Sequence, residues 1–402
     1  MRIVIISAEY PPVWGGIGSV TYYLSIALAE LGNEITIITR YHKDRSYNLL
    51  NLHKNIKIEE VKCLKAPSFS SLFFGVSSIK KLLSLNKKFD VIHLMYPLIS
   101  LSKKVFNSIP FPIVSTMHGT WAGERMGLKG KKIKEFGIND FAIFFISPFF
   151  RKFEKIALKY SDALITVSNY CISEIREFYN YKNNNIFLIS NGVDTRIFYP
   201  RSNLLKLYEK YDLPKLYKFI IFVGRFVARK GIFFLLGAFD KIVKEYKKVG
   251  LILVGFGPLE KRIKKEIIKK NIVNKVYFFG KLTSNELAEL FSLSTVCVLP
   301  SSYEGQGIVL LESMACGTPC IGTNVGGIPD VIKNNKNGFI IEYGNVDMLY
   351  SALNSLLQND SLRERMGKIG REMVLKKYDW LKIATETIKV YKYAIENSKY
   401  RK

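Results

Sequence analysis

Cysteine is scarce in this sequence: Cys63, Cys171, Cys297, Cys316 and Cys320 are spread over 402 residues. That excludes a disulfide-built scaffold. No histidine or second cysteine pair accompanies Cys316 and Cys320, which argues against a structural zinc site. Such usage fits a reducing, cytoplasmic interior. Glycine and proline are also modest, at 28 and 13 residues, too few for a collagen-like or low-complexity chain. Long apolar runs are missing. The longest aromatic-rich one, Phe141 to Phe150, covers about half of the ~20 residues that a membrane span needs, and it contains Pro148. The N-terminal apolar stretch, Ile3 to Ile6, falls short of the ~7–15-residue core of a signal peptide, so it reads as a first β-strand. Acidic residues are the last shortage: 34 Asp plus Glu stand against 60 Lys plus Arg, for a net charge of +26. A surface of that sign attracts polyanions such as nucleic acid, anionic lipid or phosphorylated substrate.

The charge is not spread evenly. Residues 51–134 hold 15 basic and 4 acidic groups, while residues 1–50 and 135–200 are each balanced. Nothing in the basic block has the look of a nucleic-acid-reading module, and a nucleic-acid partner is not expected.

Strand and helix signals alternate along the whole chain. Arg2 to Ser7 is a continuous apolar run, as a strand covered on both faces should be. A glycine-rich loop follows, then a helix over SVTYYLSIALAELG with Ser19 as its expected N-cap and Gly32 just past its end. Further strands are expected at Glu34–Thr39, Asp90–Leu94, Pro112–His118, Ala163–Ser168 and Ile186–Val193. A second series comprises Phe219–Arg225, Leu251–Gly255, Lys275–Gly280, Val296–Ser301, Pro319–Thr323 and Gly338–Glu342. The fold class is α/β, with two Rossmann-like parallel-sheet domains. The polar stretch Tyr199 to Tyr217, with Pro200 and Pro214, marks the boundary between them. The expected domains are 1–200 and 201–379, followed by a C-terminal helical segment from Trp380 to about Asn397.

Three places carry chemistry. The loop Gly15-Gly16-Ile17-Gly18 between the first strand and helix lets backbone approach a phosphate at a helix N-terminus, although it serves equally well as a tight turn. In VGRFVARKG, Arg225 and Lys230 lie beyond the carboxyl end of a strand, where open α/β sheets bind ligands. A fixed guanidinium with a mobile ammonium suits a diphosphate; solvated surface charge is the bland alternative. The strongest signal is SSYEGQGIVLLESMACGTPCIGTNVGGIPD. Glu304 falls in a turn, a helix opens near Gly307, Ile308 and Val309, and Glu312 lies on that helix. Uncapped N–H groups there can hold an anion, and a carboxylate can accept two hydroxyls of a diol.

Together these motifs resemble the retaining glycosyltransferases of the GT-B fold, glycosyltransferase family four, along nearly the whole chain. The resemblance rests on YPPVWGGIG, TMHG with His118, NGVD from Asn191 to Asp194, GRFVARKG, and the two glutamates with their trailing MACGTPCIGTNVGGIPD. It implies two domains facing across a cleft, with the C-terminal segment, about 380–402, packed back on the first. The implied reaction is retaining transfer of a hexose from a UDP- or GDP-linked donor to a glycan or lipid-linked acceptor. A non-catalytic or epimerase-type sugar-nucleotide binder is the alternative. By the same resemblance, Arg225 and Lys230 neutralise the donor diphosphate. Glu312 takes the ribose hydroxyls and Glu304 the transferred sugar. Gly307, Ile308 and Val309 supply the backbone of the phosphate-binding turn. Gly16 is the first-domain phosphate contact, and His118 stands beside the sugar. The catalytic set is therefore His118, Arg225, Lys230 and Glu304. Two residues depart from the pattern. Gln306 replaces a common Phe, which bears on donor choice, and Asp330 replaces a common Glu, which bears on a helix N-cap.

There is no Asp-x-Asp, so neither a metal nor any other cofactor is expected. His93 reads as a strand-end residue near the cleft, and His42 and His53 as loop surface. The basic block from Leu52 to Lys134 has two readings, solvated surface or a face for anionic lipid. The aromatic run Phe141–Phe150 just after it favours lipid. A cytoplasmic enzyme of cell-surface glycan synthesis, peripheral on the inner face of the cell membrane, is the corresponding expectation.

Overall fold

Apolar runs bounded by turn residues build two parallel sheets. The structure, a computed structural model, describes residues 1–11, 16–43, 53–63, 70–96, 102–128, 136 and 138–398. The chain forms two compact units. One comprises Met1–Gly123, Phe145–Gly192 and Trp380–Lys402, the other Glu124–Phe144 and Val193–Asp379. Both are Rossmann-like, with helices on the sheet faces.

The first unit contains β1 (Arg2–Ile6), β2 (Glu34–Arg40), β3 (Ile56–Val61), β4 (Val91–Leu94), β5 (Ile113–Met117), β6 (Ala163–Thr166) and β7 (Ile186–Leu188). They pair in the order β3-β2-β1-β4-β5-β6-β7, every pair parallel. β4 and β5 are buried at every position; the polar side chains they carry inward, His93, Ser115 and Thr116, are each met by a hydrogen bond. The edge strand β3 was not among the expected strands. Its sequence IKIEEV alternates apolar and charged residues, and Glu59 pairs with Lys57 at 2.6 Å and Lys81 at 2.8 Å. Charge on an edge strand discourages pairing with another chain, and it also hides the strand among basic residues.

The first helix spans Gly16–Glu30, so Ser19 lies inside it and is not the N-cap. Tertiary contacts set this start: Thr21 donates to the Ile17 carbonyl at 2.8 Å and to Ser7 Oγ at 3.0 Å, tying the first turn to the end of β1. Gly32 ends the element as expected, its N–H donating to the Ala29 carbonyl. The closing helix, Trp380–Asn397, packs on Gly16–Glu30 and on β6 within this unit. The Phe141–Phe150 run lies inside the helix Ile138–Tyr160. Phe150 is buried against Trp121, while Phe145 and Phe149 are 73% and 50% exposed. Among the described residues no helix is long and apolar enough to cross a membrane.

The second unit contains β8 (Lys218–Val223), β9 (Val249–Val254), β10 (Val276–Phe279), β11 (Ser294–Leu299), β12 (Cys320–Thr323) and β13 (Gly338–Ile341). Their order is β10-β9-β8-β11-β12-β13, again all parallel. One apolar cluster packs Ile232–Glu245 and Val346–Gln358 on one face, with Leu236, Phe239, Leu353 and Leu356 fully buried. The other face carries Ser284–Leu293 and Ile308–Ala315, with Phe291, Leu310 and Leu311 fully buried.

Candidate active site

In the second unit the chain runs outward from β8 to β10, then returns to β11 on the other side of β8. The crevice beyond the carboxyl ends of β8 and β11 is the switch point at which such sheets take ligands. Arg225, Lys230, Glu304, Gly307, Ile308, Val309 and Glu312 all lie on the segments that leave these two strands.

After β8 the chain passes Arg225 and enters a tight turn, Ala228–Lys230, closed by Gly231 at φ +68°. A Cβ at Gly231 would sit 1.9 Å from the Pro300 carbonyl oxygen, so only glycine lets this turn press against the segment after β11. The Arg229 carbonyl accepts from Ser302 N at 2.8 Å and locks the two segments together. That approach brings Lys230 Nζ within 2.5 Å of Glu304 Oε2, with the two side chains only 13% and 14% exposed. Burial lowers the Lys230 pKa, against the opposing charge of Glu304. Burial alone would raise Glu304, but the charges of Lys230 and Arg229 and hydrogen bonds from Lys230 and Ser301 hold it below 4.5. The two directions pull oppositely on the pair. The short distance and the facing charges favour its ionised form.

Arg225 is exposed, and among the described residues no hydrogen bond or ion pair engages its guanidinium. Gly307 is the N-cap of Ile308–Ala315 and contributes no side-chain cap, so the first N–H groups of that helix remain open to an anion. Glu312, one turn in, is half-buried, and burial pushes its carboxyl up to about 7. Among the described residues its carboxylate makes no hydrogen bond.

Glu304 is held by its backbone as well. Gly327 N donates to the Glu304 carbonyl at 2.9 Å. Gly326 has φ +56°, and a Cβ on it would lie 1.9 Å from that same carbonyl oxygen. Thr323 Oγ1 donates to the Ser301 carbonyl at 2.5 Å and fixes the start of the loop. These supports, together with Arg229, are what sequence reasoning missed. The Gly-Gly pair in NVGGIPD and the Arg beside Lys230 were the available signals. Asp330 lies in the first turn of Ile328–Val331, and its N-cap is Gly327, so the expected capping role of Asp330 falls away. Gln306 is buried in the Glu304 loop.

Gly16 and His118 belong to the first unit. Gly16 is the exposed first residue of its helix; Gly15 lies outside the described residues. His118 follows β5 directly. Burial takes its pKa down to about 4, against a hydrogen bond to the Met95 backbone, so the ring is neutral at pH 7. Its Nε2 is buried and, among the described residues, has no hydrogen-bond partner. His93 lies in the core and not at an open strand end. Its Nδ1 is 2.7 Å from the Tyr391 hydroxyl and its Nε2 is 2.6 Å from Thr116 Oγ1. Burial and the neighbouring His118 push it down to about 3. Among the described residues no three His, Cys, Asp or Glu side chains gather as a metal-binding group.

Comparison with known proteins agrees with this layout. The family described as Glycosyltransferase Family 4 matches residues 14–197, and that described as Glycosyl transferases group 1 matches residues 206–373. The chain is 29% identical to N-acetyl-alpha-D-glucosaminyl L-malate synthase of Bacillus anthracis over 401 residues, 99% of each chain. It is 30% identical over 393 residues to an uncharacterized glycosyltransferase of Methanocaldococcus jannaschii, covering 97% of this chain and 98% of that one. In fold it is similar to sucrose-phosphate synthase from Thermosynechococcus elongatus, with TM-score 0.85 at 24% identity, covering 99% of this chain and 100% of the other. Anabaena HepE, solved in complex with UDP-glucose, superposes with TM-score 0.75 at 17% identity, over 97% and 99% of the two chains. This chain is a GT-B enzyme, a member of glycosyltransferase family 4.

Proposed function

We propose that the protein transfers a hexose, with retention at the anomeric carbon, from a UDP- or GDP-linked donor to a glycan or lipid-linked acceptor. The observation that carries this is the buried Lys230–Glu304 pair at the switch point, beside the exposed Arg225. In the reaction the bond from the anomeric carbon to the donor phosphate breaks, and its electron pair leaves on the diphosphate. Arg225 and Lys230 neutralise that charge, and the open N–H groups from Ile308 onward add to them. Fixed cations and backbone dipoles do this without a metal ion. The sugar ring gains positive charge as the bond lengthens. Glu304 takes the sugar hydroxyls and favours that charge, held in place by Lys230 and by the Gly326-Gly327 turn. Glu312 accepts from the ribose hydroxyls. Retention requires the acceptor oxygen to attack the face that the phosphate leaves, and its proton passes to the departing diphosphate oxygen on that face. In the first unit, Gly16 offers backbone to the phosphates. Neutral His118, whose Nε2 has no partner among the described residues, accepts from a sugar hydroxyl.

The proposed setting is cytoplasmic, peripheral on the inner face of the cell membrane, in synthesis of a cell-surface glycan. The exposed Phe145 and Phe149 and the excess of Lys and Arg support it. Lys129, Lys131, Lys132 and Lys134 of the basic block lie outside the described residues. Flotation with anionic vesicles at low and high salt tests the setting; charge reversal at those four lysines should weaken binding. The catalytic test is incubation with UDP- and GDP-hexoses, following nucleoside diphosphate release and the anomeric proton of the first product by NMR. Release with retained configuration, in EDTA as in buffer, is expected. An inverted product, or turnover that chelation abolishes and Mg²⁺ restores, would contradict the mechanism.

A further inference from the structure

The rim of the second sheet carries an aromatic side chain that the mechanism above does not use. Phe256 follows β9 in the sequence Gly-Phe-Gly-Pro and is 58% exposed. Among the described residues no aromatic ring or cation packs against it. Its neighbours are anchored. Val223 pairs with Val254, and the ladder continues past the strand ends, with Gly224 N donating to the Val254 carbonyl at 3.0 Å and Phe226 N to the Phe256 carbonyl at 2.9 Å. This makes Phe256 the lateral neighbour of Arg225, one strand spacing of about 4.8 Å away. A Cβ at Gly257 would sit 2.5 Å from the Phe226 carbonyl oxygen, so the loop lies flush on the segment that bears Arg225. On its other side, Gly255 N donates to the Phe279 carbonyl at 2.8 Å. The backbone is thus pinned from β8 and from β10, so the cost of ordering the loop is already met in the free protein, and the ring stands in water.

We propose that Phe256 is the stacking platform for the heterocyclic base of a nucleoside diphosphate. The inference rests on the donor function proposed above and deepens it. A ligand anchored by its diphosphate between Arg225, Lys230 and the helix N-terminus at Ile308 has its sugar on the β11 side, at Glu304. Its nucleoside then crosses the ends of β8 and β9, where Phe256 is the exposed ring. Stacking suits a base because every base has a flat π-face, and it recovers the ring area left in water. It also discriminates weakly between bases, so side chains near Phe256 would tune the choice and Phe256 would not set it alone.

The test is calorimetric titration of UDP, GDP and inorganic pyrophosphate into the wild-type chain and into Phe256→Ala, Phe256→Tyr and Arg225→Ala. Phe256→Ala should weaken UDP and GDP by about tenfold and leave pyrophosphate within twofold. Phe256→Tyr should restore nucleotide affinity, because a flat ring is all that stacking requires. Arg225→Ala should weaken all three. Because Phe256 is largely exposed, the variants should melt like the wild type. Equal UDP and GDP affinity in wild type and Phe256→Ala would overturn the platform. So would an equal loss of pyrophosphate, which would mean that the loop had merely shifted. A wild-type chain that binds pyrophosphate but gains nothing from a nucleoside overturns the donor assignment itself, and it does so before any substitution is made.

Discussion

Removing the lysine of the buried pair should expose how Glu304 is kept charged. In Lys230→Ala the Glu304 carboxylate loses a cation at 2.5 Å. At an effective dielectric of about 20, two unit charges at that separation attract by roughly 7 kcal/mol before any cost of dehydration is subtracted. Dehydration takes back much of this; breaking a buried pair from one side typically costs about 3–5 kcal/mol. A stability loss of about 3 kcal/mol at pH 8, the lower end of that range, is the expected value, because both side chains keep some contact with solvent, at 13% and 14% exposure. The loss should depend on pH. Burial is the largest influence on Glu304 and Lys230 the largest opposing one, with Arg229 and Ser301 adding less, so in Lys230→Ala the carboxyl should move up past the 4.5 of the unfolded chain. A raised folded pKa means that the folded state binds more protons than the unfolded state between 4.5 and that value, so the deficit shrinks as pH falls through it. In the wild type the sign is reversed. The lowered Glu304 pKa contributes stability above 4.5 that is lost as pH falls toward its folded value. Urea denaturation of both proteins at pH 8 and pH 5, beside turnover at pH 8, measures this. Turnover should fall 100- to 1000-fold, about 2.7–4 kcal/mol of lost transition-state stabilisation. Wild-type stability at both pH values together with wild-type turnover would show that Lys230 neither holds Glu304 charged nor serves the reaction.

Three further outcomes are expected. Glu312 titrates at about 7, so affinity for free nucleoside diphosphate should fall as pH drops below 7, approaching tenfold per unit. Glu312→Gln should flatten that profile; a wild-type affinity constant from pH 8 to pH 5.5 would rule out an ionised Glu312 contact. Gly326→Ala forces a Cβ toward the Glu304 carbonyl oxygen from a left-handed backbone and should lower kcat at least ~10-fold while leaving nucleoside diphosphate affinity within about twofold. Unchanged kcat would show that the turn does not position Glu304. Tyr391→Phe removes the hydroxyl 2.7 Å from His93 Nδ1 and should cost about 1–3 kcal/mol in denaturant titration, the cost of an orphaned buried polar group. No change would mean that water or another group replaces it.

The parallel strands were legible because burial on both faces leaves runs such as RIVII and VGLILV with no polar interruption. The site loops were legible for a different reason: glycine, arginine and glutamate cluster at strand ends, where a core has no use for them. Two kinds of feature escaped. Edge elements such as Ile56–Val61 follow a charge pattern set by solvent and by pairing, so they lack an apolar signature. Long-range contacts leave no local trace. Lys230 and Glu304 are 74 positions apart, and nothing near either residue announces their ion pair. The same holds for His93 and Tyr391, 298 positions apart, which turn an expected strand-end histidine into a core hydrogen-bond partner. The start of the first helix was misplaced because Gly16-Ile17-Gly18 has weak intrinsic propensity, and contact with Ser7 decides it.

In the proposed reaction Glu304 and Glu312 divide the donor between them, one at the sugar and one at the ribose. The direct measurement is calorimetric affinity for free nucleoside diphosphate beside kcat with the sugar donor, for folded Glu304→Gln and Glu312→Gln. Glu312→Gln should weaken the free nucleotide by about 1.5–3 kcal/mol, the worth of hydrogen bonds to a charged group. Glu304→Gln should leave that affinity nearly unchanged and lower kcat by at least ~10-fold, which is 1.4 kcal/mol. The opposite pattern, with Glu304 governing nucleotide affinity and Glu312 governing only turnover, would contradict the proposed placement of the donor.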